Sequence, residues 1–362
     1  MLKYSFLILL LLIGNGCSTI GYYSQAIGGQ WEIYRKSQPI EEIVANPNIQ
    51  APLKQQLTDI LKIRTFASEV LHLPNNSSYT YYADLERPYV VWSVFATPAL
   101  SFKPKQWCFP IVGCVSYRGA FAETPTQDLA KKLRKQGYDV YVAGIPAYST
   151  LGWFSDPVLN TMLGWSQADI AGLIFHELAH QQIYIKNDTA FNEAFARTVE
   201  YVGTERWLAR YGTAKATAAY KLSKQRSTQF TALVLGTRNQ LIQIYKKTAP
   251  RTKKLAAKKA AYEKLRKQYL QLKQKWGGYA GYDAWFAKDL NNAKLLSVAT
   301  YQDYVPAFRA LLIELDNDLP AFYKKVAELG KLPLKERYAE LSNRSASLPC
   351  TSSFKVTLNS KL

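Results

Sequence analysis

Histidine is scarce in this chain: it occurs three times in 362 residues, as His72, His176 and His180. Any metal site built on the close pair His176 and His180 must therefore be completed by acids. Acids are also outnumbered, with 27 Asp and Glu against 46 Lys and Arg, a formal net charge of +19. Past the first residues no segment is long and apolar enough to cross a bilayer. There is no internal repeat. What is present is a folding composition: 48% hydrophobic and 13% aromatic residues exclude a disordered chain. The length is enough to bury a substantial core, as one large domain or two modest ones.

The first residues set the compartment. Met1-Leu2-Lys3 is a short basic start, and residues 4–13 form an apolar run of signal-peptide length. Gly14-Asn15-Gly16-Cys17 follows. A small residue before a cysteine resembles a bacterial lipoprotein cleavage site, with Cys17 as the lipid-bearing N-terminus. Asn15 is polar where such sites prefer small or apolar residues, so an ordinary signal peptide is the alternative. Ser18 is not the aspartate of an inner-membrane retention signal. The expectation is a signal peptide over residues 1–16 and an outer-membrane lipoprotein facing the periplasm, held to the membrane through Cys17. Nucleic acid is scarce there, so the basic run from Arg251 to Lys275 reads as a solvated helix face or a contact for anionic lipid headgroups, and no nucleic-acid partner is expected.

Periodicity predicts an α+β protein that is mainly helical. Residues 17–75 carry N-terminal helices, at about 22–36 and 49–71. Residues 76–165 form a region with a small sheet of about four strands, near 78–83, 89–95, 112–121 and 138–143, and a helix over 124–136 closed by Gly137. Residues 166–216 are a helix pair, and residues 217–362 a further helical region. Ser166 with Asp169 three positions on is a capping-box pattern that opens the first helix of the pair. Gly212 stops the second.

That first helix carries His176-Glu177-Leu178-Ala179-His180. Side chains four apart share one helix face, so both imidazoles can ligate one ion. Glu177 can reach a water on that ion and take its proton. Apolar neighbours Ile170, Leu173, Ile174, Leu178 and Ala179 make the helix a buried one, where two histidines and a glutamate are costly without a partner. The next helix offers Glu193 and, two turns on, Glu200. Two antiparallel helices joined near Asn187-Asp188 would bring Glu193 against the histidines.

The blocks His176-Glu177-Leu178-Ala179-His180-Gln181 and Asn192-Glu193-Ala194-Phe195-Ala196, with Glu200, resemble the zinc core of the gluzincin metallopeptidases, aminopeptidase N above all. The resemblance, which covers about residues 166–201, implies one Zn2+ held by His176, His180 and Glu193, with Glu177 as the base and Glu200 steadying a ligand histidine. The segment between His180 and Glu193 is shorter here than in that class, which leaves Glu200 as the fallback ligand. The upstream strand with which aminopeptidases grip the substrate amine is absent. A wider resemblance runs through Trp107-Cys108-Phe109-Pro110 to Tyr117-Arg118-Gly119, Pro146 to Phe154, and Trp276-Gly277-Gly278-Tyr279 with Asn291-Asn292-Ala293. It is to a bacterial family of predicted zinc aminopeptidases, and it implies action on peptide N-termini.

The residues by themselves leave an endopeptidase equally open, and a non-catalytic envelope protein with a structural zinc site is the rival of another class. Retention of Glu177 speaks against that rival, because a structural site needs no base. Residues 115–121 could be an edge strand that pairs with a peptide substrate, or an internal one. Tyr148 could wall the cleft. Tyr148 and Tyr301 are the candidate oxyanion donors. Cys108 and Cys114 could close a short loop as a disulfide; zinc is disfavoured as their use by the lack of a second close pair. Cys350 has no evident partner, and His72 reads as a helix-end or surface residue.

Overall fold

A computed structural model describes residues 21–109, 113–298 and 304–346. Cys17, Tyr301 and Cys350 lie outside these residues. The fold is α+β and mainly helical, as expected. Helix α1 (residues 21–36) runs into β1 (Ser37–Pro39), α2 (Ile40–Ala45) and α3 (Ala51–Glu69). Pro52 stands in the first turn of α3, where its missing N–H costs nothing. His72 follows the end of α3 in the left-handed region, φ 53°, and is exposed.

The strands are β2 (Tyr81–Ala83), β3 (Val91–Pro98), β4 (Trp107–Phe109), β5 (Gly113–Val115), β6 (Tyr117–Ala120), β7 (Tyr138–Ile145) and β8 (Val158–Leu159), with α4 (Glu123–Lys135) before β7. They divide into three small sheets, ordered β1-β2-β8, β6-β3-β7 and β4-β5. The longest ladder is antiparallel, from Val91 opposite Ile145 to Pro98 opposite Tyr138. β3 is central because both its faces are buried: Val94 and Ala96 on one, Ser93 and Thr97 on the other. Ala130 and Leu133 of α4 cover Val94, Ala96 and Val140. Cys108 and Cys114 pair across the β4–β5 hairpin as a disulfide.

The rest is helical: α5 (Gln167–Gln182), α6 (Thr189–Tyr211), α7 (Ala214–Lys246), α8 (Arg251–Lys275), α9 (Asp283–Ala287), α10 (Asn292–Val298), α11 (Val305–Glu314), α12 (Leu319–Lys331) and α13 (Leu334–Ala346). The main core joins α3, α5, α6 and α11 to α13; Phe175, Phe191, Phe195, Phe308 and Phe322 are fully buried in it. The α7–α8 hairpin closes a second core with Phe286 of α9 and Leu295 of α10. Among the described residues no helix is long and apolar enough to cross a membrane.

Candidate metal centre

Ser166 opens the helix that carries the site. Its hydroxyl accepts from the Asp169 N–H at 3.2 Å and donates to Asp169 Oδ2 at 2.7 Å, which satisfies one of the open N–H groups of the first turn of α5. Ile170, Ile174, Phe175, Leu178 and Ala179 bury the helix in the main core. His176 and His180 are carried in with them, 8% and 5% exposed. Their Nε2 atoms come to 3.2 Å.

The connection from α5 to α6 is short, and side chains fix its course. Asn187 takes the left-handed conformation, φ 64°. Asp188 caps α6 by accepting from the Phe191 N–H at 3.2 Å. Asn192 clips the connection from inside: its Oδ1 accepts from Ile185 N–H and its Nδ2 donates to the Ile185 carbonyl, both at 2.8 Å. From far along the chain, Arg337 and Tyr338 of α13 bond the Asp188 carboxylate. Gly172 sets how closely the two helices pack. A Cβ there would lie 3.2 Å from Thr204 Oγ1 and 3.3 Å from Glu200 Cγ, so only glycine gives α6 this approach without a shift.

The outcome is a triangle of donor atoms. Glu193 Oε2 lies 3.5 Å from His176 Nε2, and its Oε1 lies 3.6 Å from His180 Nε2. Among the described residues, His176, His180 and Glu193 are the one group of His, Cys, Asp and Glu side chains placed to hold a metal ion, with ligand atoms within 4.8 Å of one another. Glu200 stands elsewhere: its Oε2 is 3.2 Å from the other nitrogen of His176, Nδ1. Glu200, 6% exposed, also accepts from Arg197 at 2.7 Å and from Lys224 of α7 at 2.9 Å.

Electrostatics follow from this arrangement. Burial pushes His176 down, but hydrogen bonds with Glu193 and Glu200 outweigh it and raise the imidazole to about 9. Burial and the charge of His176 push His180 down to about 4. Two imidazoles this close do not both carry a positive charge, and the pair with Glu193 is the kind of site a divalent cation completes. Burial alone would raise Glu200, yet His176, Arg197 and Lys224 hold it at about 2. Burial would raise Glu193 as well, but its hydrogen bond with His176 keeps it below the ordinary carboxyl value. Glu177 is raised, chiefly by burial, and Ser149, Glu193 and Asp156 are among its electrostatic neighbours.

Tyr148 is 40% exposed and packs edge-on against Phe121, ring centroids 5.6 Å apart. Its charged and phenolic neighbours are Asp156, Tyr22 and Tyr117, not the donor triangle. Two residues beside the site went unnoticed in the sequence. One is Lys224, which carried no motif. The other is Tyr117 of β6, whose phenol is raised by burial and then by the charge of Glu193. β6 pairs with β3 alone, so among the described residues it is an edge strand, the alternative left open for residues 115–121.

Two histidines on one buried turn, a glutamate next to the first and a carboxylate from the facing helix define a candidate metal-dependent hydrolase centre. The chain belongs to the family described as Putative aminopeptidase, which matches it over residues 21–341 and puts its function among the peptidases. No curated protein and no solved structure matches it.

Proposed function

We propose that this is a zinc-dependent aminopeptidase in which His176, His180 and Glu193 hold the metal and Glu177 is the general base. The donor triangle carries the reading. Three donors about 2.0–2.1 Å from one tetrahedral ion stand about 3.3–3.4 Å apart; here the two imidazole nitrogens are 3.2 Å apart and each lies 3.5 or 3.6 Å from a different oxygen of the Glu193 carboxylate. Two imidazoles with one carboxylate suit zinc better than the harder cations. Zinc held there supplies Lewis acidity to the scissile carbonyl and acidifies a water.

The chain's own residues do the rest. Glu177 takes the proton of the attacking water and passes it to the leaving amine; burial raises its carboxyl toward the working range of a base. Glu200 accepts from His176 Nδ1–H and so leaves the Nε2 lone pair facing Glu193 and His180. The edge of β6 that no strand pairs among the described residues offers main-chain hydrogen bonds to an extended peptide substrate. Tyr117 and Tyr148, neighbours on that rim, are the phenols proposed for the oxyanion; Tyr301 is a third candidate.

Elemental analysis tests the core of this reading. The wild type should carry close to one zinc per chain and His180→Ala should lose it. Full metal retained in His180→Ala overturns the assignment. Glu177→Gln should keep the metal and lose roughly 10²-fold or more of peptide hydrolysis. Free against N-terminally blocked chromogenic peptides separates aminopeptidase from endopeptidase action.

A further inference from the structure

Helix α1 is fastened to the protein along one side only. Gln25 Oε1 accepts from the Phe121 N–H at 2.9 Å. Both oxygens of Glu32 accept from Arg87 at 2.8 Å. Ile33 is buried, 2% exposed, and Lys36 pairs with Glu86 at 3.0 Å. On the other side stand Ile27, Trp31 and Tyr34, which are 69%, 62% and 69% exposed. Their spacing of four and then three residues makes them one stripe along the helix. The rings of Trp31 and Tyr34 stack with centroids 5.6 Å apart. The remaining exposed positions of α1 are Gly21, Ser24, Gly28 and Arg35, with no acid among them.

We propose that this stripe lies in the headgroup region of a lipid bilayer and makes a membrane contact separate from the chain's N-terminal end. The chemistry of the stripe fits that place. Trp and Tyr present an apolar body and a polar tip, which is why they gather at membrane–water boundaries. Arg35 at the end of the stripe and the net charge of +19 suit an anionic surface.

The chain itself supplies the second argument. Cys17 precedes Gly21, the first described residue of α1, by four positions, at most about 14 Å of extended backbone. An end held in the bilayer at Cys17 therefore delivers α1 to the surface. The stripe then adds an interfacial contact beside that anchor, its aromatic rings at headgroup depth. A protein partner or a second copy of the chain would also be apolar, but neither is tethered beside the stripe. The inference rests on α1 and on the expected lipid anchor at Cys17, and is independent of the metal-centre reading.

Trp31 is its own reporter. Full-length protein is reconstituted into phosphatidylethanolamine–phosphatidylglycerol vesicles, and the emission of Trp31→Phe is subtracted from that of the wild type. The difference is expected to be blue-shifted, insensitive to iodide, and more than halved when the lipid acyl chains carry bromine. A Trp31 emission quenched by iodide and indifferent to brominated lipid places the stripe in water and overturns the proposal. A blue-shifted emission that ignores bromine and grows with protein concentration assigns the stripe to a second copy. Failure of the full chain to float with the vesicles overturns it too. Trp31→Phe keeps an aromatic at an exposed site, so loss of folding does not cloud the comparison.

Discussion

Replacing Glu200 with glutamine separates a ligand from a residue that holds a ligand. The wild-type carboxylate accepts from three charged or chargeable donors, His176 Nδ1 at 3.2 Å, Arg197 at 2.7 Å and Lys224 at 2.9 Å. An amide of the same shape offers one acceptor oxygen and turns two N–H groups toward donors. At least one of the cations then meets a donor, and His176 loses the anion that fixes its tautomer. Changes of this kind behind a ligand histidine weaken metal binding about 10–100-fold, or about 1.4–2.8 kcal/mol.

Stability should fall as well. Breaking a fully buried ion pair costs about 3–5 kcal/mol. The side chains of Arg197 and Lys224 keep 33% and 28% exposure and can turn to water, so about 1–3 kcal/mol is expected here. A chelator competition titration reads the first effect and urea unfolding of the metal-free protein reads the second. Lys224→Met leaves the His176–Glu200 contact in place and should change metal affinity far less. Unchanged affinity and stability in Glu200→Gln would refute the reasoning. A loss of zinc as complete as in Glu193→Gln would refute it differently, by making Glu200 a ligand.

Four further outcomes are expected. Glu193→Gln should weaken zinc binding more than Glu200→Gln does, and in a zinc-bound crystal its carboxylate oxygen should lie about 2.0–2.2 Å from the metal. Gly172→Ala should lower stability by about 1 kcal/mol, because the new methyl presses on Thr204 and Glu200 across the helix pair; Gly236→Ala on α7, with nothing within 4 Å, should raise it by about 0.5–1 kcal/mol in thermal unfolding. Metabolic labelling with palmitate should mark the wild type and not Cys17→Ser; equal labelling of both removes the lipid anchor. Tyr117→Phe should cost more activity than Tyr148→Phe, since only Tyr117 has Glu193 among its electrostatic neighbours, and the reverse order would move the oxyanion role to Tyr148.

The helix pair was legible because its signals are local. Ser166 with Asp169 marks the start of α5, Gly212 the end of α6, and the four-residue spacing of His176 and His180 needs only helical geometry. The strands near 78–83, 89–95 and 138–143 were legible from their β-branched and aromatic content. Their division into three sheets was not. β1 and β8 are three and two residues long and exist only because β2 lies between them, a choice made by tertiary pairing. The same holds for Lys224, which reaches Glu200 across 24 positions from a helix whose lysines otherwise look alike. Glu193 was legible as a candidate, but the length of the connection argued against its reach. Asn192, bonded twice to Ile185, is what makes so short a connection turn in time.

The bond of Asp188 to Arg337 and Tyr338 has a consequence for the order in which the molecule is made. Both helices of the pair leave the ribosome well before α13 exists, since 149 positions separate Asp188 from Arg337. Until α13 docks, the cap of α6 lacks two of its partners and the buried Asp188 carboxylate, 4% exposed in the finished protein, has no cation to offset it. The turn between His180 and Glu193 is then least constrained. A chain interrupted before Arg337 is expected to hold the turn between His180 and Glu193 less firmly, through the two Asn192–Ile185 bonds without the Asp188 clamp.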